Sequence, residues 1–164
     1  MIGDVSLTEV SAMTHQFLLA STLLLATAVQ AQSPSAGAEP VKTALPRTAA
    51  TAGAELYFIA PADGAVVDKT FTVRFGLKGM GVAPAGVTAD KTGHHHLLID
   101  VAELPPMNQP LPNDDRHKHF GGGQTETTLT LPPGKHTLQL VLGDALHIPF
   151  DPPIVSPKIT VTVK

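Results

Sequence analysis

This sequence predicts an all-β fold: an antiparallel immunoglobulin-like or cupredoxin-like β-sandwich of about seven strands, preceded by a signal peptide and a disordered linker. Three observations carry the prediction. Short runs alternate apolar and polar residues with a period of two, Pro- and Gly-rich turn signals separate them, and no segment sustains a helical period. The first run, Leu56 to Ile59, is closed by the turn "PADGA". In "FTVRFGL" the residues Phe71, Val73, Phe75 and Leu77 share one face and Thr72, Arg74 and Gly76 the other, as in a sheet with one wet side. A third strand covers His95 to Val101 and is followed by the Pro-rich run "ELPPMNQPLPNDD", a loop, because proline cannot donate to a ladder. Strands are then expected at Thr125 to Leu131 and, after "PPGK", at His136 to Leu142, where His136, Leu138, Leu140 and Leu142 fall together. Prolines 149, 152, 153 and 157 pin an extended crossing loop before the last strand, Ile159 to Val163.

The whole chain has 164 residues, 43% hydrophobic and 15% charged, which suits a single core. Eleven basic and fourteen acidic residues are scattered singly, so no cationic stripe exists to follow a nucleic acid. The absence of cysteine excludes disulfides, thiolate metal sites and cysteine nucleophiles. From Phe17 the run "FLLASTLLLATAV" has the length of a signal-peptide core, and Val29 and Ala31 suit the specificity positions of a leader peptidase. Residues 1–31 are therefore expected to be a signal peptide, with Met13 as an alternative start. The run is short for a bilayer span, so stable membrane insertion is not expected, and a periplasmic or secreted location is. Residues 32–54 are rich in Ala, Pro, Ser and Thr and read as a flexible tether, leaving residues 55–164 as the sandwich domain.

The stretch "TGHHHLLID" sets three histidines at the head of a strand. Residues two apart share a face, so His94 and His96 present their rings side by side, and "HKH" does the same with His117 and His119 if extended. His95 shares its face with Leu97, Ile99 and Val101; with His136 it reads as a core-rim histidine bonding a backbone carbonyl. His147, in "HIPF", joins the others if its loop folds over the end of the sandwich. Imidazoles without cysteine favour copper or zinc, with Asp100, Asp114, Asp115 and Asp144 as further candidate ligands or orienting partners. Met80 and Met107 could offer thioether, but simple packing explains both. Ligating imidazole must be neutral, so affinity is expected to fall as pH drops through roughly 6.5. The competing readings are a structural hydrogen-bond network and a polar small-ligand pocket.

Other chemistry has little support. No GxSxG elbow, HExxH pair or P-loop occurs, and "FGGGQTE" precedes a strand rather than a helix, so Gly121 to Gly123 read as a turn. The adjacent acids Asp114 and Asp115, beside Arg116, read as a solvated turn rather than a general acid and base.

Taken in order, "LYFIAPADGAVV", "FTVRFGLKGMGVAPAGV", "TGHHHLLID", "DDRHKHFGGGQTETTLTLPPGKHTLQLVLGD" and "HIPFDPPIVSPKITVTV" resemble a bacterial exported family, domain of unknown function 4399, over about Glu55 to Lys164. The resemblance implies the domain and the compartment and brings no established activity. His94 to His96, His117 and His119 match its pattern. Around His147 the sequence departs, with Phe150 and Ala145 where the family often has histidine or another polar residue. The expected function is a non-catalytic metal-binding module with His94, His96, His117, His119 and His147 as ligands for copper or zinc. The alternative is a cell-envelope structural or interaction domain whose histidines hydrogen-bond its loops; a histidine-metal enzyme is the third.

Overall fold

The alternation in "FTVRFGL" is realised in strand β3, Thr70–Lys78, whose Val73 and Phe75 are buried while Thr72 and Arg74 face water. The computed structural model describes residues 45–164; the expected signal peptide and the first part of the expected tether lie outside the described residues. On one side β3 pairs antiparallel with β1, Glu55–Ala60, and on the other with β7, Glu126–Thr130, giving a three-stranded sheet ordered β1-β3-β7.

The second sheet is built around β8, Gly134–Gly143, which pairs antiparallel with β5, Thr92–Ile99, and with β9, Ile159–Val163. Three short strands complete it. β2, Val66–Val67, lies parallel to β9; β4, Gly81–Val82, lies parallel to β5; and β6, His117–His119, pairs antiparallel with β5. These short strands were not expected, since two- and three-residue ladders exist only through their partners and have no period of their own.

The two sheets close on one main core. Leu56, Val73, Phe75 and Leu129 come from the smaller sheet and Leu97, Leu138, Leu140, Leu142 and Val161 from the larger, with Phe120 and Phe150 added from loops. Burying a side chain of this size contributes about 1.5–3 kcal/mol, and this layer holds the sheets face to face. The larger sheet is also covered on its outer face, where Leu98, Leu111 and Val141 form a second cluster with Val101 and Val155. Leu111 belongs to the Pro-rich loop after β5 and Val155 to the crossing loop before β9. β5 is therefore buried on both sides, and its residues from Gly93 to Ile99 are all buried.

The composition of residues 47–54 suggested a tether, but they lie against the domain. Ala49 forms a parallel bridge with Asp151, the Ala50 N–H donates to the Asp151 carbonyl at 2.8 Å, and the Asp151 N–H donates to that of Thr48 at 2.9 Å. Ala50 and Ala54 pack on the main core. Bonds to a segment a hundred residues away offset an ordering entropy that local composition could not.

Candidate metal centre

Strand parity sends His95 into the main core and His94 and His96 to the outer face of the larger sheet. The His95 ring packs 5.2 Å from that of Phe75, between centroids. β6 runs antiparallel to β5 with His119 opposite His96 and His117 opposite Leu98, so the His119 ring stands beside that of His96, centroids 5.0 Å apart. The fourth ring comes from the loop after β8, whose last residue, Gly143, pairs with His94. In that loop the Asp144 N–H donates to the Ile148 carbonyl and the His147 N–H to the Asp144 carbonyl, both at 2.9 Å. His147 stands at φ 65°, a left-handed conformation uncommon outside glycine.

These elements bring four imidazoles together. His94 Nε2 lies 3.1 Å from His147 Nδ1 and 3.0 Å from His96 Nε2, and the rings of His119 and His147 meet edge-on, centroids 4.6 Å apart. One ring nitrogen from each of His94, His96, His119 and His147 lies within 4.8 Å of the other three; points so spaced fit inside a sphere of about 2.9 Å radius. A four-coordinate ion with bonds of about 2.0–2.1 Å needs donors about 3.3–3.4 Å apart, so shifts of under an ångström or so would complete it.

Electrostatics favours the ligating form. Burial, followed by the neighbouring His147 and His119, lowers the His94 pKa to about 4, with Asp144 opposing. Burial lowers His96 further, to about 3, aided by His94, His119 and His147. His119 is lowered too, by burial and then by His147. A neutral imidazole offers a lone pair, which a metal takes directly. Hydrogen bonding within the group does not exhaust its polar atoms, because His96 Nδ1 and His119 Nε2 are buried without a partner. Four convergent nitrogens with no carboxylate among them form a donor set that could hold a metal ion.

Two glycines make room for the rings. A β-carbon on Gly143 would stand 3.0 Å from His96 Nε2, and one on Gly121 would stand 2.3 Å from His119 Cε1. Sequence reasoning assigned Gly121 to a turn and attached no role to Gly143; the Gly143 contact is long-range and no local signal marks it, whereas Gly121 meets the ring of His119 only two residues before it.

The structure corrects the expected ligand set at His117. It shares a strand face with His119, but its ring is taken by Asp114, Nδ1 lying 2.9 Å and 3.0 Å from the two carboxylate oxygens. Parity fixes a face, whereas the register across β5 decides which histidine of "HKH" meets His96. His136 meets the expectation of a carbonyl partner: its Nε2 donates to the Pro132 carbonyl at 2.9 Å and its Nδ1 to Asp100 Oδ2 at 2.7 Å. Both partners accept, so the doubly protonated ring satisfies both at once, and the Asp100 bond raises its pKa. His95 has no such partner: neither ring nitrogen makes a well-formed hydrogen bond, and burial lowers its pKa to about 4 against a weaker pull from the Gln124 backbone. Met80 packs on the main core. A cavity of about 700 Å³ lies between Thr48, Lys91, Asp144 and Phe150, and none of the four clustered rings lines it.

The family model described as Domain of unknown function (DUF4399) matches residues 73–164, more than half of the chain. The chain belongs to this family. The matched part of the DUF4399 domain contains all four clustered histidines. Among solved structures, the chain is similar to the endo-β-1,4-mannanase from Thermotoga petrophila, at 19% identity and TM-score 0.40 over 68% of this chain and 20% of that one. It is also similar to the PKD domain of human KIAA0319, at 16% identity and TM-score 0.37 over 78% of this chain and 92% of that one. A third likeness is to the fibronectin(III)-like modules of Clostridium thermocellum CbhA, at 12% identity and TM-score 0.31 over 66% of this chain and 92% of that one. The chain thus spans a fifth of the mannanase's length. Comparison with curated proteins finds no match. Among the described residues no helix is long and apolar enough to cross a membrane.

Proposed function

We propose that this DUF4399 domain is an exported metal-binding module that carries copper or zinc on His94, His96, His119 and His147. The observation that carries the reading is the meeting of four ring nitrogens, from two strands and a loop up to 53 residues apart in sequence, within 4.8 Å. Their chemistry supports it: burial lowers the pKa of His94, His96 and His119, which favours their neutral, ligating form, and His119 Nε2 is buried without a hydrogen-bond partner. A network built only for hydrogen bonding would pair its nitrogens with acceptors, as His136 does with Asp100 and Pro132. His94 and His96 are each 1% exposed and the cluster opens through the half-buried His119 and His147, which suits holding and releasing an ion more than working on a substrate. The apolar run from Phe17 supports a periplasmic or secreted location, where the cargo would pass to or from a cell-envelope partner.

Titrating the protein with copper(II) and with zinc, in competition with a chelator, tests this. About one equivalent of tight binding is expected, lost in the His94→Ala/His96→Ala double variant and kept in His117→Ala. Absence of binding at micromolar metal contradicts the reading.

A further inference from the structure

His147 is the one member of the cluster that no regular strand holds. Packing does not fix its loop tip either, since the preceding Leu146 is 61% exposed. Hydrogen bonds do, and they converge on Asp144, a carboxylate only 6% exposed. Its Oδ1 accepts from the Leu146 N–H at 2.9 Å and from the Ile148 N–H at 3.0 Å, one on each side of His147. Its Oδ2 accepts from the Thr48 hydroxyl at 2.7 Å. Arg47 holds the far side of the loop, donating from Nε to the Pro149 carbonyl at 3.1 Å, from a terminal nitrogen to the Phe150 carbonyl, and from Nη1 to Asp151 at 2.9 Å. The strap formed by residues 47–50 thus grips residues 144–151 along their length.

We propose that Asp144 and the strap Arg47–Ala50 position His147, making the N-terminal segment a working part of the metal site. The inference rests on the metal-binding reading above. Its physical content is preorganisation: a ligand on a loop binds tightly only if the loop is already held where the ion needs it, and partners that orient ligands are worth about 10–100-fold in metal affinity. The coupling is reciprocal, so an ion bound by His147 must hold the strap more firmly in place. The Gly86 N–H, bonded to the Ala145 carbonyl, and the Leu111 N–H, bonded to that of His147, remain when the strap is cut, so the loss should be partial.

The test is a double-mutant cycle in the full chain with zinc as the probe. Thr48→Val keeps the shape of the side chain and removes its donor; it should weaken zinc binding about tenfold at unchanged stoichiometry, and Thr48→Ser should restore it. His147→Ala, which removes a ligand outright, should lose more. In the His147→Ala background Thr48→Val should cost nothing further, because the strap then has no ligand to position. Zinc should also slow tryptic cleavage after Arg47 in the wild type and not in His147→Ala. Equal losses from Thr48→Val in both backgrounds, or cleavage that zinc does not slow, would overturn the positioning role while leaving the metal site standing. A wild type that binds no zinc removes both.

Discussion

The rings of His94, His95 and His96 occupy space an aliphatic core would otherwise fill, and burial decides their charge. With pKa values near 4 for His94 and near 3 for His96, both stay neutral well below the 6.5 of a free imidazole. Their competition with protons for a metal therefore begins at lower pH than an exposed histidine would give, which revises the simple expectation of a fall through 6.5. In the metal-free protein, ring resonances of His94 and His96 followed by NMR should show no protonation between pH 7.5 and about 5.5; a midpoint near 6.5 for either ring contradicts the buried cluster. The neighbouring glycines carry a second prediction. Gly143→Ala forces a methyl against His96 Nε2, and Gly121→Ala forces one against the His119 ring. Each should weaken metal affinity by about tenfold or more, since a displaced ligand is at least as costly as a lost orienting partner, while the far-ultraviolet circular dichroism stays that of the wild type. Unchanged affinity in both would mean the rings are not held where the structure has them.

Strand β5 is the element that makes the site, because it turns His95 to one core and His94 and His96 to another. It is followed by Asp100, which stands at φ 54° and ties the strand to β8: Oδ1 accepts from the Thr137 N–H at 2.8 Å and Oδ2 from His136. Because the His136 pKa is raised, its contribution is complete below 6.5 and is lost as pH rises through the folded-state value. Asp100→Asn keeps the shape and removes the charge, and should cost about 1–2 kcal/mol in urea unfolding at pH 6 and less at pH 9. A cost independent of pH would show that the ring is neutral in this pair. β6 shows why parity alone names one ligand too many. "HKH" is extended, as its parity requires, but only pairing with Leu98 and His96 assigns His117 and His119 to different partners.

For the whole molecule, the buried histidines make acid the natural denaturant. His94, His95 and His96 have depressed folded-state values, so the unfolded chain binds more protons than the native one below about 6.5, and stability falls as pH drops from there toward 4 and 3. Each contributes a slope of up to about 1.4 kcal/mol per pH unit in that window. Thermal unfolding of the metal-free protein should move to lower temperature between pH 7 and 4.5, and metal at a hundred times Kd should add about 2.7 kcal/mol at pH 7. Much of this architecture was legible in the sequence: the period of two in "FTVRFGL" and "HTLQLVL" marks the faces that build the core, and the same parity places His94 beside His96. What stayed hidden depends on distant partners. Residues 47–54 read as a tether because their anchor is the loop at 144–151, and Gly143 carries no mark of the His96 ring it admits. His147 was visible as a candidate, whereas the left-handed turn and the Asp144 bonds that aim it are properties of the folded loop.

The central claim is that four imidazoles share one ion, and X-ray absorption at the zinc edge of the zinc-loaded protein tests it most directly. The account predicts a first shell of four nitrogen donors at about 2.0–2.1 Å, with the outer-shell scattering of imidazole rings, falling to three in His147→Ala. A shell of five or six oxygens with one or two rings, or one unchanged by His147→Ala, would contradict it.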